Sequence, residues 1–584
     1  MEKLVEYAVF AVLMVANFGL GLYFSFYKKA REVTAEEVFL GSNTLKMLPL
    51  ALSALASIMS SLGIIGVTGH VYAYGLHVYW NHILAPINAL IIAYIIIPVI
   101  YKLKVTSVFE YLCMRYGNTV GLTACVIYFF LSQTLGAVAI FPAAAAVSTI
   151  FGISLTWCSL VIGLTGTIYT ALGGLRGVVW TDCAQAVLVL LAPITIITKV
   201  LYDSYYKDVR LRPLSDMNWK AFAFESSFDL TKEENVWACL FGLSTMYVYR
   251  GGIDQMIVQR YLAARNLKDA QRTAKVGTLL LFCYYATAAC LGLVMVYWFR
   301  DCDPLLSGAI TSYDQIVPYY VRKYLDEFPC FTGLFLAGVV SAATSTISSL
   351  INSQAAVLYV DILSKCFHLK SNEASKVTKL LAFGVGVTMT AYGMAAPYLG
   401  SACRIIMVLY NGATGPFVGL FFLAITFPWA NGWGAGISTA VFSILQLWQM
   451  LGKTFSGYQP PKMAVTMDYC PANSTSQVIE SLTNNDSKIE DLFPLYRLSS
   501  YWSSFISAIL TMMFGLILSL STGGRKQYKQ NLHLTSKLFL KLWRKLSLLS
   551  YDKSECEQAC APRTAECSYE FKADDVQLAE ETPM

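Results

Sequence analysis

Apolar blocks of about 20 residues, the length that crosses a ~30 Å hydrocarbon layer as helix, alternate along the chain with short polar connectors. The stretch Ile83 to Tyr101 is typical. Hydropathy predicts an all-α membrane protein of about thirteen spans: 7–27, 47–72, 78–101, 118–147, 153–171, 179–201, 236–258, 276–298, 331–362, 378–397, 402–428, 433–451 and 500–521. The first block, Tyr7 to Phe26, lacks a basic leading region and runs into Tyr27-Lys28-Lys29 instead of a small-residue cleavage site, so it reads as a transmembrane helix.

Two blocks are interrupted by polar residues. The run Ser57-Ile58-Met59-Ser60-Ser61-Leu62-Gly63-Ile64-Ile65-Gly66 sets three hydroxyls and two glycines at mid-membrane depth, and Ser341 to Asn352 carries seven Ser, Thr or Asn side chains. Lipid penalises such polarity, whereas a buried cavity tolerates it, so these are the candidate binding helices. Small-residue helix packing is the competing explanation, and for Gly63 and Gly66 alone it is preferred.

Composition agrees with the pattern: 56% of residues are hydrophobic, 14% are charged, and mean hydropathy is +0.52, which is not the make-up of a soluble enzyme. The net charge of +6 is concentrated in short connectors and the tail, where it is a topology signal and not a nucleic-acid surface. Lys28, Lys29 and Arg31, Lys102, Lys104 and Arg115, Arg260 to Lys275, and Arg525 to Lys529 place the N-terminus outside and the C-terminus inside by the positive-inside rule. Sequons at Asn473 and Asn485 in loop 452–499 agree, because that loop then lies outside. Cys302, Cys330 and Cys470 sit in or beside outer loops as candidates for pairing, with the pair left open. The tail from Gly523 to Met584 reads as disordered, in preference to a metal or palmitoylation site at Cys556, Cys560 and Cys567.

Sodium needs five or six hard oxygens, and a neutral set of hydroxyls and freed carbonyls binds it reversibly. Ser345 and Thr346 supply hydroxyls, Ala342 lies one turn earlier, and Ala56 and Met59 have the same spacing in the opposing interrupted helix. Asp182, with Gln185, opens a span after Gly173-Gly174-Leu175-Arg176-Gly177 and reads either as part of an ion path or as a dipole-favoured first-turn acid. Asp254 and Gln255 line a substrate path or cap and pair with Arg260. Arg250, costly inside a membrane, needs a partner: a substrate carboxylate, Asp254 or an interfacial phosphate. The five histidines form no metal-type pair and no nucleophile motif is present, so an enzyme is not expected.

Tyr169-Thr-Ala-Leu-Gly-Gly-Leu-Arg-Gly-Val-Val-Trp-Thr-Asp182 with Gln185, Asp254-Gln255 with Val258-Gln-Arg-Tyr261, and Ser345-Thr-Ile-Ser-Ser-Leu-Ile-Asn352 together resemble the solute:sodium symporter family over residues 5 to 525. Gly415 to Ala424 and Pro428-Trp-Ala-Asn431-Gly are similar to its monocarboxylate, multivitamin and iodide branch. The resemblance implies a LeuT-type fold of two inverted five-helix repeats, 47–201 and 236–428, after an N-terminal segment 1–46. Loop 202–235, two further helices in 429–521 and a cytoplasmic tail 522–584 complete it. It also implies a sodium site on Ala56, Met59, Ala342, Ser345 and Thr346, an inward ion path at Asp182 and Gln185, and a cavity bounded by Ser57, Ser60, Leu62, Tyr247, Arg250, Asp254 and Gln255. Leu62 and Arg250-Gly251-Gly252 depart from the family pattern. The expected function is sodium-coupled import of a small organic anion across the plasma membrane, with Na+ as coupling ion. The expected partners are a small solute and the lipid bilayer, with no nucleic acid and no obligatory protein. Carriage of iodide, sugar or choline, and a non-transporting sensor or ion leak, are the alternatives.

Overall fold

The structure is a computed structural model that describes residues 2–27, 39–207, 211–364, 367, 371–398, 401–456, 460–470 and 493–549. Residues up to Lys537 form one compact unit and those from Leu538 a second. In the first, the polar run Ser57–Gly66 becomes a break, whereas the Ser/Thr-rich run Ser341–Asn352 stays within one continuous helix.

Helix α1 (Glu2–Tyr27) precedes a broken pair, α2 (Met47–Ile58) and α3 (Ser61–Tyr74), bent by 54°. Met59 and Ser60 between them have extended backbone. The break leaves helical groups unpaired, and Ser61 Oγ ties the start of α3 across the bundle by donating to Ala139 O at 2.7 Å. The span α4 (His77–Leu103) widens into a π turn at Ile92–Ile96. A short helix α5 (Val108–Tyr116), capped by Ser107, leads to α6 (Asn118–Phe151). The 52-residue α7 (Leu155–Tyr206) folds back at Gly174, whose φ of +55° and ψ of −165° suit glycine alone.

A second interrupted region follows. Residues 236–258, expected as one span, form a π turn, the short helix α8 (Ser244–Val248), a π turn at Tyr249–Ile253, an extended Asp254 and then α9 (Gln255–Leu262). Next come α10 (Leu267–Phe299), α11 (Ile316–Tyr324), α12 (Phe331–Val357, continued as a π turn to Leu363), α13 (Ser371–Ala395), α14 (Ser401–Thr426), α15 (Gly432–Phe455) and α16 (Ser500–Ser521). Among the described residues nine helices are long and apolar enough to cross a membrane, or ten with the bent pair, rather than the thirteen expected. Part of the difference is one of division: α7, at 52 residues far longer than one crossing, is kinked at Gly174 and holds both 153–171 and 179–201, while 236–258 is too broken to be one helix.

Helix α12 is the hub, 94% buried over its apolar window. Its start is capped by Glu6 of α1, whose carboxylate accepts from Cys330 N and Gly333 N, both at 2.6 Å. Close packing on α7 depends on Gly338, where a Cβ would stand 2.5 Å from the Ala192 Cβ. Cys302 pairs with Cys470, and Cys330 is free. Asn473, Asn485, Cys556, Cys560 and Cys567 lie outside the described residues.

The tail departs from its disordered reading. As far as it is described, Gly524–Asn531 (α17) and Lys537–Lys545 (α18) are helical, and in α18 leucines recur at helical spacing among the lysines.

Candidate functional site

Two regions of opposite character meet the break between α2 and α3. On the α2 side, Arg260 of α9 is wholly buried and surrounded by oxygen. Its Nε donates to Ser53 Oγ at 2.7 Å, Nη1 donates to Met256 O, and Nη2 lies 2.6 Å from Ser57 Oγ, 2.9 Å from Asp182 Oδ2 and 2.6 Å from Ser349 Oγ. Asp182, equally buried, also accepts from Ser53 Oγ (2.6 Å) and Ser345 Oγ (2.7 Å). Four helices, α2, α7, α9 and α12, are thereby joined through one ion pair. A buried charge survives only when paired and hydrogen-bonded, and this pair is both.

The rest of α9 is held the same way. Gln255 accepts from Val108 N and donates to Thr106 O, each at 2.9 Å, and Asn352 Nδ2 donates to Gln259 Oε1 at 3.1 Å. Asp254 accepts from Met256 N as helix cap, from Tyr128 Oη at 2.9 Å and from Arg250 Nη1 at 2.5 Å.

On the α3 side a cavity of about 930 Å³ opens toward the end of the molecule that carries the disulfide. Leu62, Gly66, His70 and Tyr74 of α3 form one wall, and Glu233, Tyr313, Asp314, Lys453, Lys462 and Tyr501 face them. His70 Nε2 stands 3.2 Å from Glu234 Oε1, and Lys453 Nζ lies 2.7 Å from Glu233 Oε1. Burial raises the pKa of Glu233, but the Lys453 ammonium and the hydrogen bonds from Lys453 and Ser500 together outweigh it and hold the carboxyl below its ordinary value. Burial raises that of Asp314.

Among the expected sodium residues, Ala56, Met59, Ala342, Ser345 and Thr346 are all buried beside the break. Thr346 Oγ1 donates to Ser57 O, in the last turn of α2, at 3.2 Å and to Ala342 O, one turn earlier in its own helix, at 3.1 Å; α12 runs unbroken through Ser341–Asn352, so the interruption expected there is not a break in the helix. Ser345 instead turns to Asp182. Gln185 Nε2 donates to Thr344 Oγ1 at 3.1 Å, one turn of α7 from Asp182.

The expected substrate residues scatter. Leu62 alone of them lines the cavity; Ser60 is half-buried at the break, Ser57 belongs to the Arg260 cluster, and Gln255 holds the α5 turn. Tyr247 and Arg250 are half-buried, and Arg250 has Asp254 as its partner among those expected. The dipole reading of Asp182 does not hold, because its carboxylate meets Arg260 eight residues beyond the kink. Nor does Arg260 pair with Asp254, as the capping alternative had it. Sequence reading missed Arg260 as a site residue by counting it among topology charges, and it missed Ser53 and Ser349. Their signal was present: Ser53/Ser57 and Ser345/Ser349 each stand four apart, one turn on one helix face.

A family model described as "Sodium:solute symporter family" matches residues 38–441. The chain is similar to the sodium-coupled monocarboxylate transporter 2 of Homo sapiens, 28% identical over 528 residues that cover 89% of this chain and 84% of the relative. The sodium-dependent multivitamin transporter of Oryctolagus cuniculus is 29% identical over 575 residues, covering 96% and 88%. The sodium/iodide cotransporter of Homo sapiens is 29% identical over 556 residues, covering 89% and 84%. Among solved structures, a Na+-coupled sialic acid symporter in its substrate-bound outward-open state superposes with a TM-score of 0.72 at 21% identity, over 88% of this chain and 98% of that one, which shows a common fold.

Proposed function

The chain belongs to the sodium:solute symporter family, and from that premise we propose that it imports a small organic anion, a monocarboxylate or vitamin-like solute, across the plasma membrane by alternating access. The coupling ion is sodium, as in the family, and no covalent chemistry is involved. The observation that carries the reading is one-sided access: a cavity of about 930 Å³ comes as far as Leu62 in the first turn of α3, while Arg260, Asp182 and the polar side chains of α9 fill the side of α2.

In this reading the cavity faces outside, with the N-terminus outside and the C-terminus in the cytoplasm. The two repeats, 47–201 and 236–428, each begin with an interrupted helix, one broken at Met59 and the other at Asp254, which supports an inverted pair. Sodium enters from the cavity to Ala56, Met59, Ala342, Ser345 and Thr346, where Thr346 and the neighbouring carbonyls supply hard oxygen. Occupation there stabilises the outward-facing arrangement and raises solute affinity, since coupling between two sites is reciprocal. Each sodium crossing inward gains ~2.3 kcal/mol per 100 mV of potential. Release requires the Arg260 cluster to separate, which places Asp182 and Gln185 on the inward path.

Anion preference is supported by Arg250, held by Asp254 alongside Tyr128, and by monocarboxylate and multivitamin carriers among the similar proteins. The test is uptake and current in cells expressing the full chain, presented with short monocarboxylates, vitamins, halides, sugars and choline, with and without sodium. Sodium-dependent accumulation of an organic acid is expected. Sodium current without accumulation of any solute would overturn carriage, and accumulation of a neutral sugar alone would overturn the anion assignment.

A further inference from the structure

We propose that helix α18 and the turn after it lie on the surface of an anionic lipid bilayer, with their leucines in the acyl boundary and their lysines among the headgroups. The first observation is amphipathicity. Leu538, Leu542 and Leu546 are spaced by four, one above another, and remain 51%, 40% and 55% exposed. Leu546 N still donates to Leu542 O at 2.9 Å, so the helical turn carries past Lys545 and keeps the stripe straight. By the same periodicity Lys537 and Arg544 fall across from that stripe, and Lys541 and Lys545 flank it on the side away from Phe539 and Trp543. Phe539 and Trp543 stack beside the stripe with ring centroids 6.5 Å apart, a pairing suited to the headgroup boundary.

The second observation is where the helix starts. It follows the span α16 by 15 residues, and that connector is tied to the bundle. Asn531 Nδ2 donates to Pro428 O at 3.1 Å, Tyr111 Oη to Leu534 O at 3.0 Å and Ser536 N to Ile425 O at 2.9 Å. Ile425 belongs to the last turn of α14, so the residue immediately before α18 is fixed at the level where a span ends.

The third observation is charge. From Gly523 to Tyr551 the chain has seven Lys or Arg and no Asp or Glu. Clusters of that size directly after a span are attracted to acidic headgroups, and an amphipathic helix adds apolar insertion to the attraction. The competing occupant is the tail from residue 552 onward, with nine Asp or Glu against three Lys or Arg. It matches the basic face but has no leucine repeat to cover the apolar one, so the lipid surface satisfies both faces and the tail only one.

The test is hydrogen–deuterium exchange of segment 537–549 in the full-length protein, reconstituted in nanodiscs of phosphatidylcholine alone or with about one-third phosphatidylserine. Exchange should be about tenfold slower in the acidic nanodiscs, given four cations at the surface, and high salt should erase the difference. Lys537→Gln with Lys541→Gln and Lys545→Gln should lose that protection, although Gln and Lys have similar helix propensity. Leu542→Gln with Leu546→Gln should lose it with every charge retained. Equal exchange in both nanodiscs overturns the proposal. So does protection that persists in detergent and disappears when residues 552–584 are removed, because the tail is then the occupant.

Discussion

The two halves of the broken α2/α3 helix make a controlled comparison, since they are one sequence segment in two environments. Before the break, Ser53 and Ser57 face Arg260 and Asp182, and serines of two helices surround that ion pair. After it, Leu62 and His70 face a cavity on whose wall Glu233 pairs with Lys453, with Glu234 behind His70. The lesson concerns gating. A buried charge pair closes a passage firmly because each half is costly without the other, whereas paired charges on a cavity wall leave it passable.

The sharpest way to break the comparison is Arg260→Ala. Asp182 would be left buried and unpaired, at a cost of about 3–5 kcal/mol. Uptake should be lost and thermal unfolding in detergent should fall by several degrees. Replacing both partners, Arg260→Met with Asp182→Asn, should restore much of the melting temperature but not transport. If both variants melt like the parent, the pair does not hold this side closed.

Arg250→Ala comes next. A hydrogen bond to a charged group is worth about 1.5–3 kcal/mol, so uptake of anionic solutes should fall roughly ten- to hundredfold while sodium current persists. Unchanged anion uptake would remove Arg250 from recognition and leave it as a partner for Asp254 only.

Ser345→Ala combined with Thr346→Ala removes two hydroxyls beside the break. The sodium concentration for half-maximal transport should rise about tenfold, each hydroxyl contributing about 0.5–1.5 kcal/mol. An unaltered sodium dependence would place the ion elsewhere.

The smallest effect is expected at an exposed counterpart of the Arg260 pair. Glu327, before α12, reaches Lys207 and Lys199 of α7, and those two hydrogen bonds, Lys207 first, hold its pKa at about 2. The folded value lies below the unfolded one, so this stabilisation is complete above pH ~4.3 and is lost as pH falls toward 2. Because the carboxylate is 57% exposed, Glu327→Gln should cost within about 1 kcal/mol at neutral pH. Lys199 keeps Asp203 at 2.6 Å in either case. A loss as large as that of Arg260→Ala would show that burial is not what separates the two pairs.

Much of this was legible in the chain itself. The run from Ser57 to Gly66 announced a break, and Met59 and Ser60 are where the helix ends. Gly173-Gly174 announced the fold-back in α7. Ser345 and Asp182, read from separate motifs as parts of a sodium site and of an inward ion path, are joined by a hydrogen bond that neither motif announced. Arg260 was illegible as a core residue because a Lys/Arg-rich stretch near a helix end has the same local pattern whether it faces water or protein. Gln255 was misassigned for a related reason: a polar side chain beside a break looks alike whether it meets solute or, as here, the backbone of Thr106 and Val108.

What the sequence determined alone is what depends on local chemistry: which segments are apolar enough to span, where serine and glycine interrupt them, and which family motifs are present. Tertiary structure alone decided pairings across long separations, such as Arg260 with Asp182 over 78 residues, Glu6 with the start of α12, and Cys302 with Cys470. The physical reason is that periodicity and hydropathy act over a few turns of one helix. The partner that makes a buried charge tolerable is set only when several helices have packed around it.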